Sequence, residues 1–177
     1  VYNTGSGATA TLTNAVFSGN KAYGGFDGTS WGGGIYNDDN GSLILRDSTL
    51  ANNSARFGGG IYNTGTLALF NVTISGNLAV GGAGLFNWSG GNGNLVHVTF
   101  SGNDSGIYQS QGPGSLSLKN VLMHGSTDYN CQVQSGATAL TSAGFNLSSD
   151  NSCAFNQTGD RVNVDPRLGP LADNGGF

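Results

Sequence analysis

No glutamate occurs in this chain of 177 residues: all ten acidic side chains are aspartates. Lysine and arginine together number only six, and charged residues make up 9% of the chain, while glycine alone supplies 32 positions. Glutamate and lysine favour helices, whereas glycine and asparagine interrupt them, so these shortages exclude a helical protein and predict an all-β, turn-rich one. The scarcity of cations, with a net charge of −4, excludes a nucleic-acid partner, whose phosphates require a basic surface. No apolar run reaches the roughly 18 residues of a membrane-spanning helix. With only two cysteines, Cys131 and Cys153, a four-cysteine zinc site is impossible, and the two histidines do not stand at metal-ligand spacing from them. A disulfide is the simplest use of the pair and would imply an oxidising compartment; two independent buried thiols are the alternative.

What the chain does contain is a repeated phrase. "IYN" at Ile61 recurs as "VYN" at Val1, "IYN" at Ile35, "LFN" at Leu85 and "IYQ" at Ile107, at intervals of 34, 26, 24 and 22 residues. "NVTISGN" from Asn71 recurs in degenerate form from Asn14, Asp47, His97 and Asn120. Between the two lies a third alternation, "LIL" at Leu43, "LAL" at Leu67 and "LSL" at Leu116. Three period-two alternations per unit are three short strands, and no single unit can bury its apolar side alone. Stacking identical strands in parallel register places like on like. The predicted fold is therefore a right-handed parallel β-helix, a solenoid of about five coils over residues 1–126. A non-repeating segment over 127–177, with the disulfide, is expected to cap it and to continue into further chain. The N-terminal coil likewise reads as a piece of something longer.

Aligning the units predicts four inward columns: Leu12, Leu45, Leu69, Leu95 and Leu118; Phe17, Leu50, Ile74, Phe100 and Met123; Val1, Ile35, Ile61, Leu85 and Ile107; and Ala15, Ser48, Val72, Val98 and Val121. A slip of one residue would expose all of them, which holds the register. Three polar columns mark the corners. The first is Asn14, Asp47, Asn71, His97 and Asn120, the second Asn20, Asn53, Asn77 and Asn103, and the third Asn3, Asn37, Asn63 and Asn87, ending in Gln109. Asparagine tolerates left-handed backbone, and its amide can bond the amide above, so each column is expected to form a ladder. N-x-S/T sequons, among them those at Asn52, Asn71, Asn87, Asn103, Asn146 and Asn156, follow from this repeat grammar without any glycan.

The phrases "GGGIYN…SLILRDSTLANNSA" and "GGGIYNTGTLALFNVTISGN" resemble the pectin-lyase-like, right-handed β-helix repeats of bacterial surface proteins, including polymorphic outer-membrane-protein-type repeats. The tail "GFNLSSDNSC…DPRLGPLADNGGF" is similar to that of choice-of-anchor Q domain proteins. These resemblances imply an exported protein held at the cell surface, and imply location better than activity.

Catalysis on acidic polysaccharides would need paired carboxylates, or an acidic calcium cluster with a base on an adjacent coil. Asp47 and His97 fall two coils apart, beyond direct contact at the spacing of stacked strands. No catalytic or cofactor-binding residue is assigned, and an enzyme is not expected. "NDDNGS" offers Asp38 and Asp39 as a weak calcium site, but a solvated turn is the reading adopted, since the ligand spacing of a calcium loop is missing. Thr49, Thr73 and Thr99 form an outward column, yet they lack the paired T-x-T rank of ice-binding β-helices.

One column bears on binding. Tyr2, Tyr36, Tyr62, Phe86 and Tyr108 follow the inward aliphatic residue, so alternation turns them outward, with Trp31 and Trp88 nearby in the long loops "YGGFDGTSW" and "NWSGGNGN". Such a stripe either contacts sugar rings or a neighbouring molecule, or folds over the glycine corners. The functional expectation is a surface structural or adhesive module, with end-to-end joining into fibres as a variant, and with another copy, a surface polysaccharide or another surface protein as partner. The competing expectation is a carbohydrate-binding or polysaccharide-cleaving module that uses the aromatic stripe.

Overall fold

The computed structural model describes residues 1–5, 7–24, 30–169 and 171–172. Among the described residues every regular element is a β-strand, and every pairing between strands is parallel. One sheet stacks the "IYN" phrases: β1 (Tyr2–Asn3), β4 (Ile35–Asn37), β6 (Ile61–Asn63), β8 (Leu85–Asn87), β10 (Ile107–Gln109) and β13 (Cys131–Val133), in that order. The second stacks β2 (Thr9–Thr13), β5 (Ser42–Ala51), β7 (Thr66–Ser75), β9 (Asn92–Ser101), β11 (Leu116–Lys119) and β14 (Thr141–Ser142). Here β3 (Val16–Ser18) pairs with β5, and β12 (Leu122–His124) joins β9 to β15 (Leu147–Ser148). This is a parallel β-solenoid of about five turns.

Each ten-residue strand bends in its middle at one left-handed residue. Asp47, Asn71 and His97 have φ of 48°, 54° and 55°, and Asn14 and Asn120 hold the same geometry on the flanking rungs. The bend splits the second sheet into an "LxL" limb and a "VxF" limb, so the apolar columns converge on one core. Leu45, Leu69, Leu95 and Leu118 are fully buried, as are Leu50, Ile74, Phe100 and Met123, and Ile35, Ile61, Leu85 and Ile107. Burying one such side chain contributes about 1.5–3 kcal/mol, and the stacking repeats that gain on each rung. Ser48, the polar exception in the fourth column, is buried but satisfied: its hydroxyl accepts from the Ala15 N–H at 3.0 Å and donates to the Arg46 carbonyl. Val1 departs from its expected inward column. It is 56% exposed, because the first rung has a neighbour on one side only.

Two of the three polar columns are internal ladders. Asn20, Asn53 and Asn77 each donate an amide N–H to the carboxamide oxygen of the next residue in the series, at 2.9, 3.0 and 2.9 Å, ending on Asn103. The same oxygens of Asn53, Asn77 and Asn103 also accept the backbone N–H of the preceding asparagine. The column of Asn3, Asn37, Asn63, Asn87 and Gln109 is linked likewise at 2.7–2.9 Å. The column at the bend is different. Among the described residues its side-chain bonds join only Asn71 to Asp47, at 2.7 Å, and Asn120 to His97, at 2.8 Å. The expected continuous ladder is interrupted there, because a left-handed corner turns its side chains toward water and the column mixes amide, carboxylate and imidazole. The sequons at Asn87, Asn103 and Asn146 fall on buried amides already engaged in bonds.

The sequence repeat fades at Ser126, but strand pairing continues. Cys131 stacks on Ile107 and Val133 on Gln109 in β13, and β14 and β15 extend the second sheet. Cys131 and Cys153 are joined by a disulfide beside the buried Met123. Asn130 takes the place held by Gly84 and Gly106 on earlier rungs and donates its amide to the Met123 carbonyl and the Ser148 hydroxyl.

Candidate functional site

The outward neighbours of the aliphatic column form a continuous stack. Ring centroids from Tyr2 to Tyr36, Tyr62, Phe86 and Tyr108 are 4.8, 5.2, 5.3 and 4.7 Å apart, with interplanar angles of 24°, 14°, 9° and 11°. These separations match the spacing of paired strands, so register alone places the rings in offset contact. Each ring covers the face of the next, and the stripe presents mainly ring edges outward.

The stripe is neither wholly exposed nor folded away. Tyr2 is 65% exposed, whereas Tyr62 and Phe86 in the middle are only 6% and 3% exposed. They are covered from the side. Trp31 tilts against Tyr62 at 6.2 Å, Phe57 against Phe86 at 5.2 Å, and Trp88 stacks with Phe86 at 5.9 Å. Burial pushes the Tyr62 phenol far above its ordinary value, with the neighbouring Tyr36 and Asp39 adding to the shift, so it stays protonated.

Between these flanking rings lies a cleft of about 570 Å³. Its floor is Tyr62, Phe86 and Tyr108, followed on the next rung by Gln132, which pairs with Tyr108 and ends the aromatic column in an amide. Trp31 and Phe57 form one wall and Trp88 the other. Asp128 and Tyr129 close the end, and Gln134 joins the Trp88 side. Burial raises the pKa of the Tyr129 phenol, and hydrogen bonds with Ser105 and the Gly82 backbone only partly oppose this.

A glycine interrupts the wall of the cleft. Trp31 bridges Phe57 on the next rung, and Phe57 bridges Gly81 on the one after. A Cβ built at Gly81 would meet the Phe86 ring at 3.3 Å and the Phe57 ring at 3.6 Å. The aromatic wall thus carries no ring at Gly81, which is itself buried beside Phe86, and Tyr129 reaches in from a later rung to the Gly82 backbone.

Sequence reasoning found the stripe and both tryptophans but missed Phe57, Gly81, Tyr129, Gln132 and Gln134. A signal for the first two was present: Trp31 and Phe57 each directly precede a glycine triplet, and Gly81 precedes "GAG" in the same place. Tyr129 and Gln132 lie where the sequence no longer repeats. Part of the loop "YGGFDGTSW", residues 25–29, and Pro170 and 173–177 of the tail lie outside the described residues.

The remaining candidates are engaged structurally. Asp38 accepts the Thr4 hydroxyl at 2.6 Å and the Asp39 N–H at 2.9 Å, and the Thr4 bond is the main reason its carboxyl is held below the usual range. No group of three or more His, Cys, Asp or Glu side chains placed to hold a metal occurs among the described residues. The threonine column is aligned, Thr49 on Thr73 on Thr99, but Thr73 and Thr99 share a hollow with Leu168 and Leu171 of the tail.

Two stretches of the chain match a family model. It is the Chlamydia polymorphic membrane protein repeat, and it covers residues 14–38 and 47–64, well under half of the chain. The matched residues contain two of the left-handed bends, the first glycine triplets and the start of the aromatic stack. The match and the stacked architecture fit a β-helix like that of polymorphic membrane proteins, and point to a bacterial surface module. No curated protein and no solved structure matches the chain.

Proposed function

We propose that this chain is a rigid adhesive module of a bacterial cell surface, and that the aromatic cleft is its contact face. The observation that carries this reading is the cleft itself. The chain's two tryptophans, each nearly half exposed at 44% and 46%, flank a stacked aromatic floor on a surface otherwise rich in threonine, serine and asparagine. A soluble surface of this kind seldom gathers apolar area without a partner to cover it. The solenoid supplies what adhesion needs mechanically, because each ring is held by strand register rather than by a loose loop. The resemblance of the tail to surface-anchored proteins supports export, and the segment after Ser126 serves in this reading as the cap of the rod. Lateral contact at the cleft is favoured over end-to-end growth, because it rests on residues in the middle of the solenoid.

Beads coated with the protein should attach to host-cell or bacterial-cell monolayers, and Trp88→Ala should remove most of that attachment. Trp88 is chosen because its loss leaves the buried Tyr62 and Phe86 in place. Attachment unchanged in the variant would overturn the reading of the cleft, and a lack of any attachment would overturn adhesion.

A further inference from the structure

The chemistry of the cleft narrows what can occupy it. Among the described residues no lysine, arginine or histidine lines it, and its one charged group is the exposed Asp128. An anionic ligand, such as a uronate, a phosphate or a sulfated sugar, would meet a carboxylate there, while the nearest cation, Arg56, is held over the Phe57 ring, 5.5 Å from its centroid, and lies outside the lining. A wholly apolar ligand would leave the polar end unused. Gln132 and Asp128 make no side-chain hydrogen bond to any described residue. The Gln134 carboxamide oxygen accepts only long bonds of 3.3 Å, from the Ser110 hydroxyl and the Gln111 N–H. The cleft therefore combines aromatic walls with a carboxylate and two amides that retain bonding capacity.

A second depression continues it. Trp88 and Gln134 line both, and beyond them lie Ser89, Ser110 and Gln111, around a polar hollow of about 650 Å³. An extended occupant seated beside Gly81 would pass Trp88 and enter this hollow, where hydroxyls and amides replace rings.

We propose that the aromatic cleft beside Gly81 and the hollow next to it are two adjoining subsites for a neutral oligosaccharide. This deepens the adhesive reading and rests on it. One pyranose ring would lie in the cleft between the Trp31–Phe57 wall and Trp88, its apolar C–H face against the Trp88 ring. Its hydroxyls would bond Asp128 and Gln132. The next ring would lie along Trp88 toward Gln134 and Ser110. A pyranose suits this arrangement because it offers an apolar face and a hydroxylated rim at once, as the cleft does. Chains of two or more sugars should bind better than monosaccharides, since a single ring cannot reach both subsites.

Both tryptophans belong to this site, so their fluorescence reports on it alone. The probes are cellotetraose, maltotetraose, mannotriose and N-acetyllactosamine, with glucose and tetragalacturonate as controls and a phenylalanine-containing tripeptide, which adds no indole emission, as a competing occupant. At least one neutral oligosaccharide should shift the emission saturably, and glucose and tetragalacturonate should be weaker by about tenfold or more. Gly81→Phe should abolish the response. Its backbone is not left-handed, and Phe57 holds the bridged position on the previous rung, so the rung can carry a phenylalanine, whose ring would enter the cleft by displacing the Phe86 edge that lies 3.3 Å from the new Cβ. Gln132→Ala, which touches no core contact, should weaken binding by about 3- to 10-fold and guards against misfolding of the plugged variant. The proposal is overturned if none of the neutral oligosaccharides shifts the emission, if only the tripeptide does, or if binding survives both substitutions.

The bead assay separates the two readings. Attachment abolished by Gly81→Phe while every oligosaccharide fails would keep the adhesive role and discard the sugar. Sugar binding without attachment would do the reverse.

Discussion

At the scale of single residues, asparagine plays two opposite parts in this protein. Asn77 is fully buried, and its carboxamide serves four partners: the Asn53 backbone N–H and side-chain amide, the Leu50 carbonyl and the Asn103 oxygen. Asn71 sits at a left-handed bend with its side chain in water. Asn77→Ala would leave several buried groups without partners, each costing about 1–3 kcal/mol, so the expected loss is at least about 3 kcal/mol. Asn71→Ala should cost only about 1 kcal/mol, the penalty of a left-handed residue with a Cβ, and Asn71→Gly should be nearly neutral. Urea midpoints of the three variants check the order; equal losses at both positions would contradict the division into buried ladders and exposed bends. The glycine triplet is equally specific. Gly58 has a φ of 65°, and a Cβ on Gly59 would stand 2.5 Å from the Leu78 carbonyl oxygen. Gly59→Ala must therefore force adjacent rungs apart, and a loss of soluble protein is expected in expression trials.

At the scale of elements, the last rung depends on devices the central rungs do not need. Where leucine and asparagine columns run out, the disulfide and two aspartates take over. Burial alone would raise the carboxyl pKa values of Asp150 and Asp160. Hydrogen bonds reverse this: Asp150 accepts from Ser152, Ser148 and the Asn130 N–H, and Asp160 from Ser142, Gln157 and Asn146, so both are held below the usual range. A carboxyl whose folded pKa is depressed contributes stability above its unfolded value, near 4, and loses it as pH falls through the lower folded value. The melting temperature should therefore hold above about pH 4 and fall below it, and Asp160→Asn should flatten the fall. A fall just as steep in the variant would exclude Asp160 as a cause. Reducing the disulfide should cost about 3 kcal/mol in the chain-entropy picture. The first consequence should be faster hydrogen exchange in β13, β14 and β15, with β7 unchanged.

At the scale of the whole molecule, stability is a sum over neighbouring rungs rather than the property of one closed core. β7 is paired along its full length on both sides, whereas β1 and β13 each have one partner within their sheet. Hydrogen exchange should be slowest in β5, β7 and β9 and quicken toward both ends. A uniform rate along the solenoid would mean a single cooperative unit instead. The same geometry explains why the cleft lies near the middle: the aromatic stack is most deeply covered at Tyr62 and Phe86, where rungs on both sides hold it rigid.

Much of this was legible in the sequence, because a parallel solenoid stacks equivalent residues and so writes its register as a repeat. The leucine and aliphatic columns, both buried amide ladders and the aromatic stripe could all be read from aligned phrases, and the disulfide from the presence of only two cysteines. What could not be read depended on distances between side chains from unlike positions. The side-on cover of Trp31, Phe57 and Trp88 made a cleft of a stripe whose exposure alternation alone left open, and the bend column lost its continuity by facing water. Tyr129, Gln132 and Gln134 joined the site from a rung whose phrases no longer resemble the others. Repetition along the chain determined which residues stack; only folding decided what stands beside the stack, because lateral neighbours come from loops that obey no repeat.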